Sequence, residues 1–186
     1  MKRNTIFVAL IMSFASLLAV PLTTAQDDFK PVTVFLVRHA EKEDEPRQDP
    51  PLKKEGVARS QELAKLLGAA GIKTIITSQF ARTKQTAEPL ATKLNLTATS
   101  ISLRSNPTNP RLIAEESTTE VVNKILERSG ESVLLIGHSN SLPDVIKMLG
   151  GDTVPTIDER QFNNLFIVTV YAKGKAKVTH LKYGAE

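Results

Sequence analysis

Two short runs of the chain, Val32-Thr33-Val34-Phe35-Leu36-Val37 and Ser132-Val133-Leu134-Leu135-Ile136, are almost continuously apolar and rich in β-branched side chains. Neither shows the apolar–polar alternation of a strand with one wet face. Such runs read as strands covered on both faces, which is the setting of a parallel sheet between layers of helix. The rest of the chain supplies that helix. Glu55 to Ala70 has helical spacing, with Leu63, Leu66, Leu67 and Ala70 on one face and Gly71 as a C-cap glycine. A second helix is expected over Ala81 to Leu94, shortened or kinked by Pro89. A third is expected over Leu112 to Arg128, and a short one over Leu142 to Leu149 with Pro143 in its first turn. Thr74–Thr77 and Thr97–Leu103 read as further strands. Leu165–Tyr171 and Lys177–Tyr183 read as two closing strands around a turn at Lys173-Gly174-Lys175. Strands alternating with helices predict an α/β fold: a mostly parallel central sheet flanked by helices on both faces.

The N-terminus follows a different logic. Lys2 and Arg3 precede an apolar run from Ile6 to Val20, and Thr23 and Ala25 supply small residues for cleavage. That is the pattern of a signal peptide over residues 1–25, and the run is shorter than the ~20 residues a bilayer span needs. The expectation is an exported protein, periplasmic or secreted, with residues 26–186 forming one domain and no membrane span once the signal is removed. An uncleaved anchor is the alternative.

Composition removes several function classes. The chain has no cysteine, which excludes a disulfide framework and a thiolate metal site. Loss of Lys2 and Arg3 with the signal would take the formal charge from +4 to about +2, and aromatic residues are only 5% of the chain. Neither favours a nucleic-acid partner. Asn95-Leu96-Thr97 matches a glycosylation sequon, a three-residue pattern common by chance.

Ligands of open α/β sheets bind at the carboxyl ends of the strands. Arg38-His39 follows the first strand, Ser78 to Arg82 the second, and Gly137-His138-Ser139-Asn140 the strand ending at Ile136. Two histidines and two arginines are thus expected on one rim. Guanidinium forks match phosphate oxygens, and a neutral imidazole can attack phosphorus. Arg38 and Arg82 would disfavour the imidazolium of His39, and its second ring nitrogen needs a carbonyl or carboxylate acceptor to fix the tautomer. No HExxH or comparable spacing supports a metal, so neither metal nor cofactor is expected. Ser139 is not the serine of a nucleophile elbow, because position 141 is Ser where Gly is required. His180, inside the last predicted strand, is assigned to structure.

These motifs resemble those of the histidine phosphatase superfamily, the phosphoglycerate-mutase-like group. Val37-Arg38-His39-Ala40-Glu41-Lys42 resembles its Arg-His signature, and Leu52 with Gly56 its entry to the first helix. Ser78-x-x-x-Arg82-Thr83-x-x-Thr86-Ala87 resembles its second arginine motif, and Gly137-His138-Ser139-Asn140-Ser141 its Gly-His motif. The resemblance implies a phosphoglycerate-mutase-like fold and a phosphoryl group carried on His39. It implies that Arg38, Arg82 and His138 bind that group without a metal. Ser139 and Asn140 are candidate substrate contacts.

The family's general acid has no recognisable counterpart. The segment where many relatives carry it holds Glu88, Glu115, Glu116, Glu120, Glu127 and Glu131; the first loop offers Glu41, Glu43, Asp44 and Asp49. Glu41 is nearest in sequence, with an orienting bond to an arginine as its alternative role. The sequence therefore predicts a phosphatase acting on a phosphorylated small molecule or envelope component. Its alternatives are a mutase, a phosphohistidine-protein phosphatase, or a phosphate-binding module without turnover. Oligomeric state stays open.

Overall fold

The computed structural model describes residues 29–185; the predicted signal peptide and its cleavage site lie outside the described residues. The six strands are β1 (Val32–Arg38), β2 (Ile72–Ser78), β3 (Thr99–Ile101), β4 (Ser132–Gly137), β5 (Asn164–Ala172) and β6 (Lys175–Lys182). The four helices are α1 (Lys54–Leu67), α2 (Ala81–Leu94), α3 (Glu115–Leu126) and α4 (Leu142–Met148). The strands form one sheet in the order β3-β2-β4-β1-β5-β6. β2 pairs in parallel with β3 and β4, and β4 in parallel with β1, while β5 runs antiparallel to both β1 and β6.

The apolar runs do what their composition requires. Along β1, Val34 and Leu36 enter one core layer with Val121, Val122 and Ile125 of α3 and Val145 and Ile146 of α4. Val37 enters the other, with Leu63 and Leu67 of α1 and Leu90 of α2. β4 alternates in the same way, Val133 and Leu135 to one side, Leu134 and Ile136 to the other. Successive side chains of a strand point to opposite faces, so two-sided burial needs apolar residues at every position. The edges are blunted. β3 has only three residues, and the outer strand β6 carries Lys175, Lys177 and Lys182.

Four local expectations are corrected. α1 stops at Leu67 with Gly68 as its C-cap, and Gly71, at φ 69°, serves the turn into β2 rather than a cap. Leu66 is 52% exposed, so the buried face of α1 is narrower than its leucines suggested. Pro89 lies inside α2 without shortening it. α3 begins at Glu115, not Leu112, because the residues before it are already engaged. Asn106 N donates to Leu112 O at 2.9 Å, Ala114 N donates to Arg104 O at 2.8 Å, and Ser105 bridges Ile113. His180 stacks on Phe166 at 4.4 Å and bonds Asn164 Oδ1 at 2.8 Å through Nε2, a structural role.

The loop after His39 returns at once, with Lys42 bridging Leu52 and Lys53 N donating to Glu41 O at 3.0 Å. α1 crosses this turn through Gly56, where a Cβ would collide with the Glu41 carbonyl. Gly56→Ala is expected to destabilise the fold by about 1–3 kcal/mol. The check is a lowered urea midpoint at unchanged m-value.

Candidate active site

Register decides which side chains meet. Arg38 lies opposite Gly137 in the β1–β4 ladder, and His39 N donates to Gly137 O at 3.0 Å. His39 and His138 therefore leave neighbouring strands at the same level, with ring centroids 5.3 Å apart. β2 flanks β4 on its other side and delivers Ser78 beneath the first turn of α2, where Arg82 stands. The rim is locked by two fully buried threonines of the second arginine motif. The Ala40 amide donates to Thr86 Oγ1 at 2.9 Å, and Thr83 Oγ1 donates to Phe80 O at 2.8 Å. Ser141 closes the third corner by accepting from His138 N at 3.0 Å.

His39 has the attributes of a neutral nucleophile. Its Nδ1 lies 2.8 Å from Ala40 O, a carbonyl that can only accept, so Nδ1 carries the proton and Nε2 keeps its lone pair. Burial pushes the imidazole down to about 2; the Ala40 bond opposes this, and His138, Arg38 and Arg82 add smaller downward effects. Desolvation, more than the arginines credited in the sequence reading, keeps the ring neutral. His138 is pushed down to about 3 by burial first and the two arginines second. Its Nε2 sits 3.0 Å from Ser78 Oγ, which is also 3.0 Å from Thr83 Oγ1. The Thr83 proton goes to a backbone carbonyl, so Ser78 donates to Thr83 and accepts from His138 Nε2–H.

The arginines are held from behind. Arg38 lies 4.3 Å over the Phe162 ring and Arg82 lies 4.2 Å over Phe80. Arg38 Nη1 donates to Asp158 O at 3.0 Å and Gln161 O at 3.4 Å, while Nη2 donates to Glu159 Oε2 at 2.7 Å. Arg82 Nη1 is 3.8 Å from Asp49 Oδ1, and that oxygen accepts from Ala81 N at the start of α2, at 2.8 Å. The Nε atoms of both arginines are buried without a protein partner. Leaving a buried donor unsatisfied costs about 1–3 kcal/mol, which an anionic acceptor between the arginines would recover. Two guanidinium groups and a bare imidazole nitrogen can hold and attack a tetrahedral oxyanion.

The structure brings Arg38, His39, Arg82 and His138 together. It orients the other three candidates differently. Ser139 is at the rim, its Oγ donating to Glu159 Oε1 at 2.6 Å. Asn140 Nδ2 donates to Arg111 O at 2.8 Å, tying the 104–114 loop to the site. Both oxygens of Glu41 face Arg59, at 2.8–3.0 Å from its Nε and Nη2. Burial would raise this carboxyl, but the Arg59 bonds outweigh it and hold it below the usual range. Glu41 thus takes the orienting bond that was its alternative role. Among the described residues no cluster of three or more His, Asp or Glu could hold a metal ion.

Phe80, Phe162 and Glu159 were missed from sequence. Phe162 and Glu159 belong to the segment leading into β5, and their placement follows from the direction of that strand, which the sequence reading left unassigned. A closing hairpin with one strand antiparallel to β1 must enter the sheet at the rim where β1 ends.

Residues 34–103 match the model of the histidine phosphatase superfamily, branch 1, a span that contains Arg38, His39 and Arg82. The likeness to that superfamily covers the Arg-His and second arginine motifs and stops before His138. Among solved structures the chain resembles the protein histidine phosphatase SixA complexed with tungstate, with 20% identity, 81% of this chain and 96% of that one covered, and a TM-score of 0.62. It also resembles phosphoglycerate mutase from Bacillus anthracis, with 16% identity, 83% and 94% covered, and a TM-score of 0.64. A third is mycobacterial glucosyl-3-phosphoglycerate phosphatase, with 11% identity, 84% and 100% covered, and a TM-score of 0.61. No curated protein sequence matches the chain.

The buried histidines make stability depend on pH. Both are neutral when folded well below their unfolded pKa of about 6.5, so the unfolded chain binds more protons as pH falls. Their contribution is complete above about pH 6.5 and is lost progressively towards pH 3, at up to about 1.4 kcal/mol per pH unit for each. Thermal midpoints are expected to fall between pH 7 and 5. A His39→Asn/His138→Asn variant should show a shallower slope over the same interval.

Proposed function

We propose that this protein is a phosphatase that hydrolyses phosphomonoesters, or phosphoramidates, through a phosphohistidine on His39. One observation carries the reading: His39 Nδ1 lies 2.8 Å from Ala40 O, an acceptor to which Nδ1–H donates, so Nε2 is left unprotonated beside two arginines with unpartnered buried donors. In the forward step Nε2 bonds to phosphorus as the P–O or P–N bond to the leaving group breaks and its electron pair departs with that group, and the Nδ1–H bond to Ala40 O spreads the positive charge the ring acquires. Arg38 and Arg82 take the phosphoryl oxygens, whose charge they meet before and during transfer. His138 lines the same pocket from β4. Water then attacks phosphorus and His39 leaves. The likeness to phosphatases, one of them carrying tungstate, supports the choice of an oxyanion ligand.

A phosphate-binding module without turnover would need the anion donors but not a buried neutral imidazole, so the state of His39 favours an enzyme. The substrate's body has room beside the phosphoryl seat. A groove of about 570 Å³ adjoins Glu159 and Phe162, lined also by Lys53 and Lys182. The expected setting is the cell envelope, following the N-terminal sequence, and the reaction is expected to need no metal.

His39→Ala is expected to abolish turnover of an aryl phosphate, and rapid quenching with radiolabelled substrate should trap label on His39 of the wild type. Activity should persist in EDTA. Arg82→Ala is expected to lower kcat by about 10²–10³, as for loss of one transition-state donor. Arg38→Lys should also be impaired, because an ammonium cannot replace the fork. Steady-state kinetics of the two variants check both expectations.

A further inference from the structure

We propose that Glu159 is the general acid that protonates the leaving oxygen, an assignment that rests on the phosphatase reading above. Glu159 is a carboxylate hydrogen-bonded to a member of the four-residue cluster, through Oε2 to Arg38 Nη2 at 2.7 Å. Its other oxygen accepts from Ser139, the neighbour of His138, at 2.6 Å. Its backbone is placed by the same arginine, which grips the carbonyls of Asp158 and Gln161 and stacks on Phe162. The side chain itself is 77% exposed and lines the groove beside Phe162, so it can move without disturbing the core.

Four of the carboxylates the sequence offered already have partners. Glu41 is held by Arg59, and Asp49, beside Arg82, accepts from Ala81 N at the start of α2. Glu131 accepts from Thr74, beside the amino-terminal end of β4, and Glu127 pairs with Lys124 on the surface.

The contact with Arg38 also provides a route to the protonated form. Nη2 of Arg38 lies on the same edge of the guanidinium as the unpartnered Nε, and a phosphoryl group needs that edge for a two-pronged contact. A substrate that takes Nη2 removes the cation from Glu159 and sets an anion beside it. Both changes favour the neutral carboxyl. A phosphomonoester arriving as its monoanion supplies the proton. His39 Nε2 then forms the P–N bond, the P–O bond to the leaving alcohol breaks, and its electron pair takes the proton from Glu159. In the second half, water forms a new P–O bond and gives a proton to Glu159. The P–N pair returns to Nε2, phosphate takes the proton back from Glu159, and it leaves as its monoanion with Glu159 a carboxylate again.

The test is kcat/KM for Glu159→Gln over a series from 2,4-dinitrophenyl phosphate, whose leaving group needs no proton, to glycerol phosphate, whose leaving group does. The expected result is a loss of about 10²–10³ for glycerol phosphate with less than about threefold change for the dinitrophenyl ester. Retained activity on that ester shows that Arg38 and the fold are intact. An equal loss across the series would make Glu159 a positioning residue for Arg38 and overturn the assignment. So would unchanged turnover with tighter binding of inorganic phosphate, the mark of a resting counter-ion. Wild-type protein that shows no His39-dependent hydrolysis even of the dinitrophenyl ester would overturn the phosphatase reading itself, and the assignment with it.

Discussion

The site depends on one backbone relation, the parallel pairing of β1 with β4 in the register that sets Arg38 against Gly137. A strand's side chains alternate in direction, so slipping that register by one residue would send one of the two histidines to the wrong face. The register is protected by burial: both strands carry apolar side chains on both faces, and a slip would misplace all of them. The same apolar runs that drive the sheet together therefore align Arg38, His39 and His138.

On that platform the chemistry is made by withdrawing water and rationing acceptors. His39 and His138 are buried, and desolvation keeps their rings neutral. A single carbonyl, Ala40 O, decides which nitrogen of His39 is bare. The arginines are packed against Phe80 and Phe162 with their Nε donors unpaired. Arg38 also fastens the Asp158–Phe162 segment to the rim, and in doing so it brings Glu159 to the cluster. Loop placement, the proposed phosphate contact and the proposed proton donor thus share one side chain.

Much of this was legible before the structure. The strands at Val32 and Ser132, the four-helix inventory and the gathering of Arg38, His39, Arg82 and His138 followed from apolar runs, helical spacing and strand-end placement. Local details failed where backbone hydrogen bonds were already spent, as at Leu112, or where a leucine at helical spacing had no partner surface, as at Leu66. Glu159 failed for a different reason. It sits in a polar, irregular stretch with no motif, and nothing short of knowing the direction of β5 brings that stretch to the rim.

The sequence by itself determined the layers of the fold and the identity of the four residues at the strand ends, because periodicity and residue chemistry are local properties written along the chain. Only the tertiary structure decided the protonation of His39, the commitment of Glu41 to Arg59 and the arrival of Glu159 at Arg38. Those depend on desolvation and on which acceptor lies within about 3 Å of which donor, and contacts between residues as far apart in the chain as Arg38 and Glu159 exist only after the sheet has closed.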